Sequence, residues 1–579
     1  MFNRREMMKL AAAFAVSGMY KINAQEHLGE DSVPSKFPGP RWPSYVKEPR
    51  TIEEVMPLAR ALAQNPSGEF GGSGLGVLQP GESALIVIPA TAETLIIEAV
   101  RKAVEERGVK LTILTDFGLV GVSKADALAF SEAIANYPAE GFSEVRGFWI
   151  EHFGLVFTDP DAPKRWLEKK RPDLFAKLYP QDRELSAHLK EVQKALEVNR
   201  VGKAIREYLE QHPEIRGVFW GKMPFWKPTL RSLLGGKQLG VFMADNHWEM
   251  MSEIPNYPSD LWLLLEEKTI ASLAFVDKVH VTDPEGTDVS FELTEEQADR
   301  WAKGVYERGH LLMYPDCASG QFPSSVTDFP QRRKEWIPRE PIGGINGVVA
   351  GTTGHHGGFF PRMEVHYRDG YIQEVKGGGI FGEVFREFMK YPNTNDLPYP
   401  FYDSKHPGFW RLFEIAVCTH PKYYRSPEDL FHYGAGEYHR SGVVHWGVGA
   451  DILNGPPEVL QKWREFGAKY NVPIGHDFHI QNYFTTYSVH LRHIDTWITL
   501  VDKGHLTALD DPDVRALAAR RGDAGRLLSE DWIPEMPGIN APGSYTEYAN
   551  DPWKYVKTQM DEIVAGTYQH YYPRRSGGD

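Results

Sequence analysis

The sequence predicts an α/β protein with a mostly parallel sheet in its N-terminal part and an α+β arrangement in its C-terminal part. Residues 84–89 form a continuous apolar run, residues 91–106 have helical spacing, and residues 110–114 form a second apolar run. Strand, helix and strand in this order form a βαβ unit, whose strands are parallel. After about residue 270 the pattern changes to alternating strands joined by short Pro/Gly turns.

Further apolar runs at 218–220 and 239–243, with a helical pattern over 183–209, extend the parallel sheet. We therefore expect an α/β domain over residues 81–270. The preceding residues 25–80 are rich in Pro and Gly and lack sustained periodicity, which predicts an extended segment.

The C-terminal part contains paired strand patterns. Residues 278–283 and 289–293 flank a Pro/Gly turn, and residues 363–367 and 371–375 flank Asp369-Gly370, which is typical of a hairpin. Another strand is expected at 347–351. We assign residues 271–531 to a second domain and residues 532–579 to a tail that packs over the surface.

Composition excludes some classes of protein and of metal site. The chain has 579 residues and a net charge of −14, and no segment concentrates basic residues, which argues against nucleic-acid binding. Only two cysteines are present, Cys317 and Cys418, too few for a cysteine-rich zinc or iron–sulfur site. Any bound metal must therefore be held by histidines and carboxylates.

The N-terminus has the pattern of an export signal. Arg4 and Arg5 precede Lys9 and a short apolar run over residues 10–19, which is too short to span a membrane. The arginine pair resembles the twin-arginine signal, which implies the twin-arginine export machinery as a partner. We expect residues 1–24 to be this signal, the protein to be periplasmic or exported, and the chain to have no stable membrane span.

A strand pattern over residues 491–500 contains His493-Ile494-Asp495. Residues two apart in a strand share a face, so His493 and Asp495 are expected to point the same way. His445 lies in another strand-like run over 442–449. Two histidines and one carboxylate are the ligand set of mononuclear iron sites, which predicts metal ligation by His445, His493 and Asp495.

Other residues are candidates for the pocket around that metal. His355 and His356 lie in a Gly-rich loop, where an imidazole can serve as a general base. Arg362 suits a substrate carboxylate, and Trp446 and Tyr483 suit stacking against an aromatic ring.

Five motifs in order resemble the aminopeptidase T/S type of metallopeptidase and the 2,5-dihydroxypyridine dioxygenases of the same fold. They are Val281 to Asp288, Tyr314 to Gln321, Phe413 to Val417, Val444 to Gly449 and His493 to Asp495. The resemblance implies a C-terminal metal-binding domain of the thermophilic-metallopeptidase type. Gln321 stands where the peptidases have a glutamate ligand, which disfavours their second metal and favours the mononuclear iron branch.

The resemblance implies a ring-cleaving dioxygenase with one Fe(II) per chain, acting with O₂ on a hydroxylated aromatic or N-heteroaromatic small molecule. Zn or Mn is the alternative metal, and Glu414 is a further candidate in catalysis or ligation. Two alternative hypotheses remain. One is a divalent-metal aminopeptidase-like hydrolase, and the other is an exported binding protein with a vestigial site. We also expect a homodimer.

The segment between the last two motifs leaves a second ligand set open. His476, Asp477 and His479 are themselves ligand types. We prefer His493 and Asp495, because the strand and hairpin pattern after Asp495 matches the family. His476 then becomes a catalytic candidate and His479 a substrate-binding candidate.

Overall fold

The structure is a computed structural model, and it describes the greater part of the chain. The described residues are 36–66, 74–135, 168–169, 171–178, 185–196, 198–221, 238–241, 244–302, 305–307, 310–313, 344–354, 358–389, 410, 412–427, 436–449, 465 and 477–572.

The strands, in chain order, are β1 Trp42–Pro43, β2 Ser83–Ile88, β3 Lys110–Thr115, β4 Ile215–Trp220, β5 Gln238–Val241, β6 Val276–Thr282, β7 Asp288–Glu292, β8 Val305–Glu307, β9 His310–Met313, β10 Asn346–Thr353, β11 Phe359–Arg368, β12 Tyr371–Gly377, β13 Leu412–Cys418, β14 Val444–Gly449, β15 Asp477–Asn482, β16 Thr486–Leu491, β17 Thr496–Asp502, β18 His505–Leu506 and β19 Tyr571–Tyr572. The α-helices are Ile52–Gln64, Thr94–Glu106, Asp116–Leu119, Lys124–Ala135, Pro172–Leu178, Ala187–Ala195, Val198–Gln211, His247–Met250, Ser259–Ile270, Glu295–Ala302, Gly379–Met389, Pro512–Arg521, Ala524–Leu527, Tyr545–Asn550 and Pro552–Ala565.

The N-terminal part contains a parallel sheet with strand order β3-β2-β4-β5. Strand β2 is buried on both faces: Ile86 packs toward helix Thr94–Glu106, and Val87 packs toward helix Val198–Gln211. Burial on both faces explains why its sequence is a continuous apolar run. The predicted βαβ unit is confirmed.

The C-terminal part contains two antiparallel sheets. One has the order β12-β11-β10-β7-β6-β16-β17-β18, and the other has the order β15-β14-β13-β9-β8. The predicted hairpins β6–β7 and β11–β12 are confirmed. Asp369 and Gly370 both have positive φ, 52° and 80°, as a tight two-residue hairpin turn requires. The chain is thus a mixed α/β protein with parallel and antiparallel sheets.

The prediction that residues 25–80 form an extended segment is wrong. Helix Ile52–Gln64 lies inside the segment expected to be extended, and it buries Val55, Met56 and Ala59 at helical spacing. The segment from Trp532 packs one side against the rest of the protein, where its aromatic and aliphatic side chains form a buried cluster with Trp42, Val46 and residues of the C-terminal sheets. Strands β1 and β19 pair in parallel, with Trp42 opposite Tyr571 and Pro43 opposite Tyr572.

The predicted export signal, residues 1–24, lies outside the described residues. Within the part of the chain that the structure describes, no helix is both long and apolar enough to cross a membrane.

Candidate metal-binding face of the five-stranded sheet

The five-stranded sheet brings His445 and His479 together. His445 is on β14 and His479 on the adjacent β15, in register with Gly447. Because Gly447 is two residues from His445, both imidazoles lie on the same face of the sheet. Their ring centroids are 4.1 Å apart, and the residues are 0% and 1% exposed. Two predicted site residues, assigned to different roles, are therefore neighbours.

Two further positions share this face. Gln481 is directly opposite His445, and Glu414 on β13 is opposite Gly447. Three adjacent strands therefore place Glu414, Gly447 and His479 in one row. The Glu414 side chain lies outside the described part of the structure, so its place is given by strand register alone. We call the face carrying His445, His479, Gln481 and Glu414 the histidine face.

Tyr483 lies at one end of the histidine face, where it contacts the buried ion pair of Arg425 and Glu437. Its hydroxyl donates to Glu437 at 2.9 Å and lies 3.4 Å from Gln481 Oε1. Arg425 donates two hydrogen bonds to Glu437, at 2.8 and 2.6 Å. Burial alone would lower the pKa of Arg425, but the Glu437 carboxylate raises it overall, so the guanidinium stays charged. Sequence reasoning missed Arg425 and Glu437, and it placed Tyr483 as a stacking residue.

Trp446 lies on the opposite face of β14. It is fully buried, and its indole N–H donates to Asn482 Oδ1 at 2.8 Å. The prediction that Trp446 stacks on a substrate is wrong in this arrangement, because it points into the main core while His445 points away from it.

The predicted strand geometry of His493 and Asp495 is wrong. Strand β16 ends at Leu491 and β17 begins at Thr496, so both residues lie in the turn between them. Asp495 has a φ of +47° and a side chain that is 97% exposed, and the His493 side chain is 40% exposed. A carboxylate in solvent cannot share a metal ion with the fully buried His445, so the structure does not assemble the predicted triad.

Asp495 is instead a partner of His490, which the sequence analysis did not single out. His490 Nε2 lies 3.0 Å from Asp495 Oδ1, and its Nδ1 lies 2.6 Å from Asp277 Oδ1. His493 lies 3.5 Å from Glu295. The turn therefore holds a cluster of histidine–carboxylate contacts at the ends of strands β16 and β17. Among the described residues, no group of three His, Cys, Asp or Glu side chains is arranged to hold a metal ion.

Arg362 is already engaged by protein groups. Its Nε donates to the Glu285 carbonyl oxygen at 2.5 Å, and its Nη1 pairs with Glu364 at 2.6 Å. These contacts fix the guanidinium beside the β6–β7 turn rather than on the histidine face. His355, His356, His476 and Gln321 lie outside the described residues.

The β6–β7 turn contains two buried carboxyl groups, Asp283 and Glu285. Thr352 donates to Glu285 at 2.7 Å, and the Tyr545 hydroxyl lies 3.3 Å from it. Burial and the adjacent Asp283 raise the pKa of Glu285 to about 8, and burial raises that of Asp283 to about 6. The turn motif was identified in sequence, but the contact of Glu285 with Tyr545, 260 residues away, could not be predicted from the motif.

Comparison with known proteins gives a fold-level likeness only. No family model matches the chain, and no curated protein sequence matches it. A solved 2,5-dihydroxypyridine dioxygenase from Pseudomonas putida KT2440 is similar at 11% identity and a TM-score of 0.36, covering 79% of this chain and 98% of that chain. Wild-type AmpT from Thermus thermophilus is similar at 16% identity and a TM-score of 0.32, covering 78% of this chain and 99% of that chain.

The chain is similar to both groups that its motifs resemble. At these TM-scores the likeness decides neither the activity nor the role of any residue.

Proposed function

We propose that this protein is a metal-dependent enzyme that binds one Fe(II) on the histidine face, with His445 and His479 as ligands and Glu414 as the carboxylate. The observation that carries the proposal is the 4.1 Å separation of the two buried imidazole rings on adjacent strands. In this proposal His479, from the second ligand set that the sequence left open, takes the place of His493, and Glu414 takes the place of Asp495.

The donor set fits a mononuclear site. Imidazole nitrogens are common ligands for divalent transition metals, and two buried imidazoles lie side by side here. Two histidines and one carboxylate give the set found in non-haem iron oxygenases. Glu414 supports the proposal through its register with His479, across Gly447.

We further propose that the reaction is oxygen-dependent cleavage of a hydroxylated aromatic or N-heteroaromatic ring. When bound, Fe(II) would supply the one-electron chemistry that O₂ requires. A two-metal site, as in a metallopeptidase, needs carboxylates to offset four positive charges. Opposite His445 the chain has Gln481, whose neutral amide adds no negative charge. Gln481 therefore favours ring cleavage over metallopeptidase hydrolysis. Gln321 supports the same choice in sequence.

The chain's own groups would shape the site in two ways. The hydrogen bonds from Arg425 and Tyr483 hold Glu437 in place, and Tyr483 in turn stands beside Gln481 at the end of the histidine face. Aromatic rings of Phe359 and Trp532 cover Arg425 at 4.6 and 5.1 Å, which keeps water from this end of the site. A dry, fixed surround strengthens electrostatic interactions with a bound substrate.

Metal analysis tests the proposal. The purified protein, prepared without oxygen, should contain close to one iron per chain and should consume O₂ with a dihydroxypyridine or dihydroxybenzene substrate. Two tightly bound zinc-type ions per chain, with peptide hydrolysis, would support the hydrolase instead. A protein with no metal and no turnover would support a binding protein.

Export by the twin-arginine route and a homodimeric state are proposals that stand beside this one. Export rests on Arg4 and Arg5 in the sequence. It would deliver an enzyme that was loaded with metal before it left the cytoplasm.

A further inference from the structure

A cleft of about 440 Å³ lies where three distant segments of the chain meet, and none of its lining residues belongs to the histidine face. Pro38 and Arg41 form one side, the β17–β18 turn forms the second, and residues between Asp510 and Ile533 form the third. This volume is typical of sites for small molecules.

Two cationic side chains of the cleft are held by a fixed backbone. Arg41 and Ile533 exchange backbone hydrogen bonds at 3.1 and 3.0 Å. Lys503 and Gly504 form the β17–β18 turn with φ of +50° and +86°, and a Cβ at Gly504 would lie 2.1 Å from the Tyr483 carbonyl oxygen. The turn therefore needs glycine at position 504. Its conformation fixes the backbone of Lys503, from which the lysine side chain extends.

Three carboxylates line the cleft: Asp502, Asp510 and Glu530. Asp510 and Glu530 already have partners within the protein. His505 lies between them, with Nδ1 3.0 Å from Glu530 and Nε2 2.9 Å from Asp510. Ser441 also donates to Glu530 at 2.6 Å, and Arg515 pairs with Asp510. Although burial lowers the pKa of His505, these two carboxylates raise it to about 9, so the imidazole is protonated at neutral pH.

The remaining cations, Arg41 and Lys503, give the cleft an excess of positive charge. Arg41 donates to a neutral group, the Glu530 carbonyl oxygen, at 3.1 Å. In the described part of the chain, no carboxylate lies within ion-pair distance of Arg41 or Lys503. Four cations against three carboxylates give the lining a net charge of +1, in a chain whose net charge is −14.

Arg440 adds a further positive charge behind the wall of the cleft. It is fully buried, and its Nη1 donates to the Gly504 carbonyl oxygen at 2.6 Å and lies 3.7 Å from Glu530. Its Nε and Nη2 have no hydrogen-bond partner among the described residues. The excess of cations in and behind the lining favours an anion.

We propose that this cleft binds a small molecule through a carboxylate or phosphate group, with Lys503 and Arg41 donating to its oxygens. Charge-assisted hydrogen bonds from a guanidinium and an ammonium are the usual means of holding such groups. His505, Glu530 and Asp510 form the base of the site and keep its shape.

Binding to the full-length protein tests the proposal, with inorganic phosphate and malonate as separate probes and glycerol as a neutral control, at constant ionic strength. Isothermal titration should show saturable binding of at least one anion and none of glycerol. Lys503→Asn and Arg41→Gln should each weaken it about tenfold, which corresponds to one good charge-assisted contact. Asn tolerates the positive φ of position 503, so this variant keeps the turn.

Lys557→Gln is the matched control, because Lys557 is an exposed lysine on helix Pro552–Ala565 whose partner is Asp561. Its anion affinity should equal that of the unmodified protein. Preference for phosphate or for malonate identifies which oxyanion the cleft selects. The proposal is overturned if neither anion binds saturably, or if the Lys503 and Arg41 variants bind as tightly as the Lys557 variant.

Discussion

His445 and His479 lie on neighbouring strands of a buried sheet, with their rings 4.1 Å apart, although 34 residues separate them in the chain. The pairing of β14 with β15 produces this proximity. Gly447 lies between Glu414 and His479 on the histidine face and has no side chain to fill the space between them. A compact pair of buried imidazoles is suited to a transition-metal cation.

The buried ion pair at the end of the histidine face should be important for stability. In Arg425→Met, the Glu437 carboxylate would stay buried without its cation, which typically costs about 3–5 kcal/mol of unfolding free energy. The double variant Arg425→Met/Glu437→Leu should lose less than the sum of the single changes. Chemical denaturation of the three variants measures this coupling, and strict additivity would show that the two groups do not interact.

Stability should fall as the pH rises from about 5 to 8, because of Glu285. Its pKa in the folded protein, about 8, exceeds the unfolded value near 4.5, so the folded state binds more protons in this range. Glu285→Gln should flatten this dependence and gain stability relative to the unmodified protein at pH 9. The measurement is the melting temperature between pH 5 and pH 9.

The exposed Glu547→Gln is the control for that experiment, because Glu547 lies in a neighbouring helix but is open to solvent. It should leave the pH profile unchanged. An unmodified protein whose melting temperature rises steadily from pH 5 to pH 8 would contradict the assignment of Glu285.

The C-terminal helix should contribute to the core through one face only. Met560 is 4% exposed and Val564 is 64% exposed on helix Pro552–Ala565. Met560→Ala should cost about 2–5 kcal/mol, whereas Val564→Ala should stay within about 0.5 kcal/mol. Equal effects of the two substitutions on the denaturation midpoint would mean that the tail does not pack as described.

Local pattern was sufficient where one segment determines its own structure. The apolar run around Ile86 predicted a buried parallel strand, because burial on both faces requires apolar residues throughout. Asp369-Gly370 predicted a hairpin, because residues that tolerate positive φ are needed in its turn. The same reasoning failed for His493 and Asp495. The β-branched and aromatic residues that suggested a strand begin mainly at Thr496, and Asp495 adopts a left-handed turn conformation that Asp tolerates.

The histidine face depends on pairing between segments, which a single sequence does not specify. The alternation His479, Gln481, Tyr483 was a usable signal, since three polar or amphipathic residues at a spacing of two mark one face of a strand. Which strand lies beside it, and hence that His445 is its neighbour, follows only from the sheet register. Arg425 and Glu437 were missed for the same reason, because their role depends on Tyr483 and Trp532 from later parts of the chain.

Export offers a test that is independent of the site. Replacing both Arg4 and Arg5 with Lys should leave the precursor in the cytoplasm while the protein remains folded, because the twin-arginine route requires the arginine pair. Fractionation of cells expressing the two forms measures it. Normal export of the double variant would rule out the twin-arginine signal.

Iron content per purified chain tests the central claim most directly. His445→Ala and His479→Ala should each lose bound iron together with activity, while His490→Ala and His493→Ala should keep close to one iron per chain. All four remove an imidazole, so the comparison separates the histidine face from the turn between β16 and β17. Retention of iron in the His445 and His479 variants, with loss in the His493 variant, would contradict the account and return the ligand role to His493 and Asp495.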